Sequence, residues 1–178
     1  VGDGWMRMNI VQKASVTQNT LTYLSLGEAA SSSSTYSNVA GDGTKGILFW
    51  GAQTEQILAA QDDPLELIHT DGAVYQAPRF DYTKDGDKKG LLIEEARTNL
   101  FPYSQDFSNA QWVDGNTITS LASNITDPSG GNNSYKITQT TNAWDAIGEF
   151  NLNLSTNTAY TFSVYIKRPD DGMTSLRF

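Results

Sequence analysis

His69 is the only histidine in this 178-residue chain, so any histidine-based chemistry would have to use it. A general base or a metal ligand is the role such a side chain suggests. Thiolate zinc sites are excluded because the chain has no cysteine. A Ser-His-Asp hydrolase of the elbow type would need a Gly-x-Ser-x-Gly pentapeptide, and none occurs. His69 therefore reads as a structural residue. Glu94 and Glu95 are adjacent acids. In a strand they point to opposite faces, whereas an acid/base pair needs carboxylates about 5–9 Å apart across one cleft. One of them is expected to pair with Arg97 or Arg79 and the other to be solvated. Asp81, Asp85 and Asp87 lie near Gly86 and could offer oxygen ligands to calcium. Lys88 and Lys89 follow directly, so the spacing departs from that of an EF-hand loop. No other cofactor is expected, and the chain is not expected to be an enzyme.

Aromatic residues offer a different chemistry. Trp5, Trp50, Trp112 and Trp144, with Tyr36, Tyr103 and Tyr135, could include a platform that stacks on the apolar face of a sugar ring. Trp5 lies in an alternating segment and Trp50 in an apolar run, so both are expected in the core. Trp144, in the polar stretch 140–145, is the leading ligand candidate, with Tyr135 and Tyr36 beside it.

The elements that must position these residues are strands. In Tyr160 to Lys167, Tyr160, Phe162, Val164 and Ile166 share one face, and Thr161, Ser163, Tyr165 and Lys167 the other. That period of two predicts a strand with one dry and one wet face. Trp5 to Val11 alternates with Met6, Met8 and Ile10 on one side, and Thr20 to Leu26 reads as a strand without a clear inward face. Ile47 to Trp50 is wholly apolar, which predicts cover on both faces. Leu91 to Ile93, Ser134 to Thr138 and Ala146 to Leu152 are further candidates. The one helix candidate runs from Glu55 to Gln61, before Asp62, Asp63 and Pro64. Turn chemistry separates the strands at Gly41-Asp42-Gly43, Asp85-Gly86-Asp87 and Asp127 to Gly131, and Ser31 to Ser34 reads as a solvated loop. Many short strands with little helix predict an all-β, jelly-roll-type sandwich of two antiparallel sheets.

With 12 basic and 20 acidic residues the net charge is −8. Nucleic-acid binding needs clustered cations, so that partner is not expected. A polybasic membrane-surface role is equally disfavoured, and no apolar run approaches the ~20 residues of a spanning helix. The first residues lack the basic-then-apolar pattern of a signal peptide.

Two blocks carry a resemblance. Pro78 to Tyr82, Gly90 to Leu100 and Tyr103 to Trp112 resemble the opening half of a carbohydrate-binding-module-like β-sandwich of phage head fibres, tail fibres and other virion proteins. Val1 to Arg7 and Gly41 to Glu55 resemble the closing half of such a sandwich. On that basis 1–58 reads as a closing half, 59–89 as a connector, and 90–178 as an opening half. The inverted order is best read as an excerpt from tandem sandwiches. A circular permutation, or completion by neighbouring chains, would also account for it. The resemblance implies a structural or adhesive module of a fibre, spike or decoration protein on the virion surface. It further implies a homo-oligomer, a trimer by family analogy, that contacts other virion proteins and a host glycan. A carbohydrate-binding module of a secreted enzyme is the alternative. In either setting the Asn-x-Ser/Thr triplets at Asn124, Asn132 and Asn153 are chance composition.

Overall fold

A computed structural model describes residues 3–15, 18–21, 24–27, 46–57, 66–72, 80–82, 88–91, 98–114, 118–139, 146–149, 151–168 and 175–177. The described residues form strands and no helix. In chain order these are β1 (Trp5–Lys13), β2 (Gln18–Leu21), β3 (Leu24–Gly27), β4 (Gly46–Ile57), β5 (Phe80–Tyr82), β6 (Lys88–Leu91) and β7 (Val113–Asp114). There follow β8 (Ile118–Ile125), β9 (Ser134–Gln139), β10 (Ala146–Glu149), β11 (Asn151–Leu154), β12 (Ala159–Lys167) and β13 (Ser175–Arg177). The main sheet is antiparallel and five-stranded, in the order β1-β12-β4-β9-β8. A four-stranded sheet has the order β13-β3-β10-β7, and β11-β2 and β5-β6 are two-stranded ribbons. In the main sheet β1 and β4 come from residues 1–58, while β8, β9 and β12 come from 90–178. Strands from 1–58 and from 90–178 therefore hydrogen-bond to each other in one sheet.

β12 lies between β1 and β4, and its β-branched and aromatic residues suit a central strand. Tyr160, Val164 and Ile166 enter the main core, as their alternation predicts. The opposite face is not wet, because Thr161 and Ser163 are fully buried. They stand opposite Glu55 and Gln53 of β4, which are buried too. Alternation reports polarity, and here it does not report exposure.

The helix expected from Glu55 is a strand where it is described. Glu55, Gln56 and Ile57 pair with Thr161, Tyr160 and Ala159, and residues 58–61 lie outside the described residues. An isolated helix of two turns is marginal, whereas the ladder to β12 supplies partners for the alternate residues whose backbone groups face it.

β4 changes character at Gly51. Two residues, Gly51 and Ala52, stand opposite Val164, which makes a β-bulge, and Gly51 takes the left-handed φ of 63°. A Cβ there would lie 2.6 Å from a methyl of Leu67. Before the bulge β4 is apolar and pairs with β9 from Gly46 to Phe49. Beyond it the Gln-Thr-Glu run faces a buried polar network instead.

The main core gathers Phe49, Ile137, Val164 and Ile166 from the sheet with Leu152 and Leu154 of β11 and Phe101, Phe107 and Trp112 of the 98–112 segment. Trp112 packs 5.0 Å from the Phe101 ring and 4.9 Å from that of Phe107, and Phe162 meets Phe101 edge-on at 5.8 Å. On the other face Trp5, Leu48 and Trp50 form a smaller cluster. The expected burial of Trp5 and Trp50 is thus observed.

Candidate ligand cleft

One wall of the cleft is held by Asn99. Where β9 stops beside β4, residues 99–104 take over. The Leu100 amide donates to the Thr54 carbonyl at 2.7 Å, and the Ala52 amide to the Ser104 carbonyl at 2.8 Å. Asn99 is fully buried. Its Oδ1 accepts from the amides of Thr54 and Phe101, and its Nδ2 donates to the carbonyls of Ala52 and Ile68, each at 3.1 Å. Every site of the side chain is used. Residues 66–72 are fastened to the same segment. The Thr70 amide donates to Ser104 Oγ at 2.8 Å, and Thr70 Oγ1 donates to the Phe101 carbonyl at 2.6 Å. Gln53 Oε1 accepts from the Ile68 amide at 2.6 Å, while Gln53 Nε2 donates to Glu55 Oε1 at 3.0 Å.

The chain then turns at Asp106. Its Oδ1 accepts from the Ser108 hydroxyl at 2.5 Å, the Ser108 amide at 3.1 Å and the Tyr135 hydroxyl at 3.0 Å. The Trp112 indole donates to the Tyr103 carbonyl at 2.9 Å and closes the turn over the aromatic core.

The facing wall is the β8–β9 hairpin. Its turn is organised by Asp127, whose Oδ1 accepts from the Ser129 amide and hydroxyl and the Gly131 amide. Asp127 Oδ2 accepts from the amide and side chain of Asn133. Asn124 adopts a left-handed φ of 71° where the β8 register shifts.

Between the walls lies an open cleft of about 490 Å³, lined by His69, Thr70, Asp71, Gln105, Asp106, Ser123, Asn124, Asn132, Asn133 and Tyr135. Its chemistry is amide, carboxylate, hydroxyl and imidazole. Such a surface can both donate to and accept from a ligand rich in hydroxyl groups. Two carboxylates in an acidic chain disfavour an anionic ligand.

Hydrogen bonds set the ionisation of Asp106 and Asp127. The Ser108 hydroxyl holds the Asp106 carboxyl below the ordinary carboxylate range, against a smaller opposing effect of burial. Burial alone would raise Asp127, but the donors from Ser129, Asn133 and Gly131 together hold it low. Burial first, and then the hydrogen bond to Asp106 and its charge, push the Tyr135 phenol up against a lowering effect of Ser108. A lowered folded-state pKa adds stability that is complete above the unfolded value of about 3.9 and is lost as pH falls through the lower folded value. The thermal unfolding midpoint is therefore expected to be flat between about pH 7 and pH 5 and to fall below about pH 4. Asp106→Asn should make that fall shallower, and an unchanged acid limb would show that this carboxylate is not held low.

Of the residues singled out as ligand candidates, Tyr135 lines the cleft. Trp144 and Tyr36 lie outside the described residues. Among the calcium candidates, Asp81 sits in β5 opposite Gly90, and Asp85 and Asp87 lie outside the described residues. Among the described residues no group of three or more His, Cys, Asp or Glu side chains converges as a metal site. Sequence reasoning missed Asp71, Gln105, Asp106, Asn124, Asn132 and Asn133 as cleft residues. They come from three separate stretches, and their one common signal is clustered Asn and Asp in turn segments. Compared with protein-family models, curated proteins and solved structures, the chain gives no match.

Proposed function

We propose that this chain is a structural and adhesive module of a bacteriophage fibre, spike or decoration protein, and that its cleft holds an uncharged host-surface glycan. The module would work on the virion surface beside other virion proteins, without a catalytic role. Its architecture is read as a jelly-roll-type sandwich, with the four-stranded sheet as the second layer over the five-stranded one. The sequence blocks that resemble virion sandwich modules support the setting. The observation that carries the ligand class is the cleft itself, with amides from Gln105, Asn124, Asn132 and Asn133 placed around Tyr135. Hydroxyl-rich rings satisfy such groups, and Asp71 and Asp106 select against acidic sugars.

The test is a glycan array of neutral and acidic bacterial polysaccharides, followed by calorimetry on the hits. Binding to neutral glycans is expected. Gln105→Ala and Asn132→Ala should each weaken it about three- to tenfold, at about 0.5–1.5 kcal/mol per hydrogen bond. Neither substitution should move the unfolding midpoint appreciably. Binding confined to acidic glycans, or affinity indifferent to both substitutions, would refute the assignment of the cleft.

A further inference from the structure

The two edges of the main sheet are unlike. β8 is blunted, because its register with β9 shifts between Ile118 and Ser120 and again between Ala122 and Ile125. The second shift contains the left-handed Asn124. β1 is open. It pairs with β12 without interruption from Trp5↔Lys167 to Lys13↔Ala159. It contains neither proline nor a bulge, two of the devices that protect a natural edge, and its charged residues are Arg7 and the terminal Lys13. Met6 and Ile10 stand on its core-side face 57% and 41% exposed, the two large apolar side chains exposed among the described residues. Met8 lies between them and packs against the main core.

The backbone phase of this edge is defined. The Ala14 amide donates to the Thr158 carbonyl at 2.9 Å. By antiparallel alternation the even-numbered residues of β1 turn their amide and carbonyl groups to β12, and Trp5, Asn9, Val11 and Lys13 turn theirs outward.

We propose that β1 is a self-association edge, on which a second copy of this chain pairs antiparallel through its own β1 with Met8 on the two-fold axis. In that register the outward backbone groups of both copies meet as hydrogen-bonded pairs, and Trp5 stands opposite Val11 of the second copy. Met6 stands opposite Ile10 of the second copy, in the closely spaced non-hydrogen-bonded class of pair. Each exposed apolar side chain thereby covers the other. Moving the axis to Asn9 loses this match, because Met6 then faces Gln12. The blunted β8 edge offers no comparable straight partner, so the occupant of β1 is another β1 and the pair is closed.

Sedimentation equilibrium of the intact chain is expected to show a concentration-dependent dimer. Ile10→Lys should weaken the dimer at least tenfold and leave the circular dichroism spectrum unchanged. Because the chain has no native cysteine, crosslinking is clean. Met8→Cys should form a disulfide-linked dimer on oxidation with copper-phenanthroline, since paired cross-strand positions fall within disulfide reach. Val11→Cys should not, because the two Val11 positions would be roughly 20 Å apart along the strands. A chain that stays monomeric at millimolar concentration would overturn the proposal. So would a dimer indifferent to Ile10→Lys, or equal crosslinking by the two cysteine variants.

Discussion

Asn99→Ala is expected to remove about 4 kcal/mol or more of folding stability. The substitution deletes a buried side chain that satisfies two amides and two carbonyls at once. A buried polar group left without its partner costs about 1–3 kcal/mol, and no solvent is at hand because Asn99 is fully buried. Four such groups exceed what local relaxation recovers. The loss is large against the 5–15 kcal/mol that holds a typical domain together. Asn99→Asp is the informative companion. It preserves size and one acceptor, but it turns oxygen instead of N–H toward the carbonyls of Ala52 and Ile68 and introduces a buried charge. It should destabilise at least as much as alanine at neutral pH. Urea unfolding of the three proteins checks this. A loss below about 1 kcal/mol for Asn99→Ala would mean that residues 66–72 and 99–104 stay on β4 without the staple.

The second large effect is expected at Gly46, where β4 meets β9. A Cβ on Gly46 would lie 2.2 Å from the Ile137 carbonyl oxygen and 3.0 Å from its carbon. Those are backbone atoms of the facing strand, so no side-chain rotation relieves the contact. Gly46→Ala must push β9 away from β4, and overpacking of this kind costs roughly 3 kcal/mol. The consequence reaches the cleft. β9 carries Tyr135, and the hairpin it forms with β8 carries Asn124, Asn132 and Asn133. The opposite wall, residues 66–72 and 99–104, hangs on β4 through Asn99. Displacing β9 therefore moves one wall against the other, and glycan affinity should fall more than for any single cleft substitution. The checks are urea unfolding and calorimetry on the same sample. An unaltered midpoint would mean that β4 and β9 can separate locally at little cost. The contrast with Gly51 is instructive, because the nearest atom there is a Leu67 methyl that can turn aside. The strain of Gly51→Ala lies in its left-handed backbone.

The strands were legible to the extent that alternation and turn residues speak for a local period. Tyr160 to Lys167 and Ser134 to Thr138 reappear as β12 and β9 within a residue. Thr20 to Leu26, whose inward face was ambiguous, divides into β2 and β3, which belong to different sheets. The helix expected from Glu55 to Gln61 begins in the same strand that carries the polar Gln53 and Thr54. Polar side chains carry no local sign that distant residues will bury them, and the partners of this run come from β12 and the 66–72 segment.

Nothing in Thr98-Asn99-Leu100-Phe101 says that an amide will reach backbone groups at positions 52, 54 and 68. The cleft followed the same rule, since Asp71, Gln105 and Asn132 are neighbours only because two loop systems close against one sheet.

The amino-acid order alone settled that the chain is built of strands, because period two, β-branched residues and turn residues act over a few positions. It also ruled out disulfides and thiolate metal sites through the absence of cysteine. Only the packed chain decided which strand lies beside which, which polar groups are buried, and where a ligand can sit. Those outcomes depend on contacts between residues far apart in sequence, and one register or one buried hydrogen-bond network is selected from many that the local pattern would equally allow.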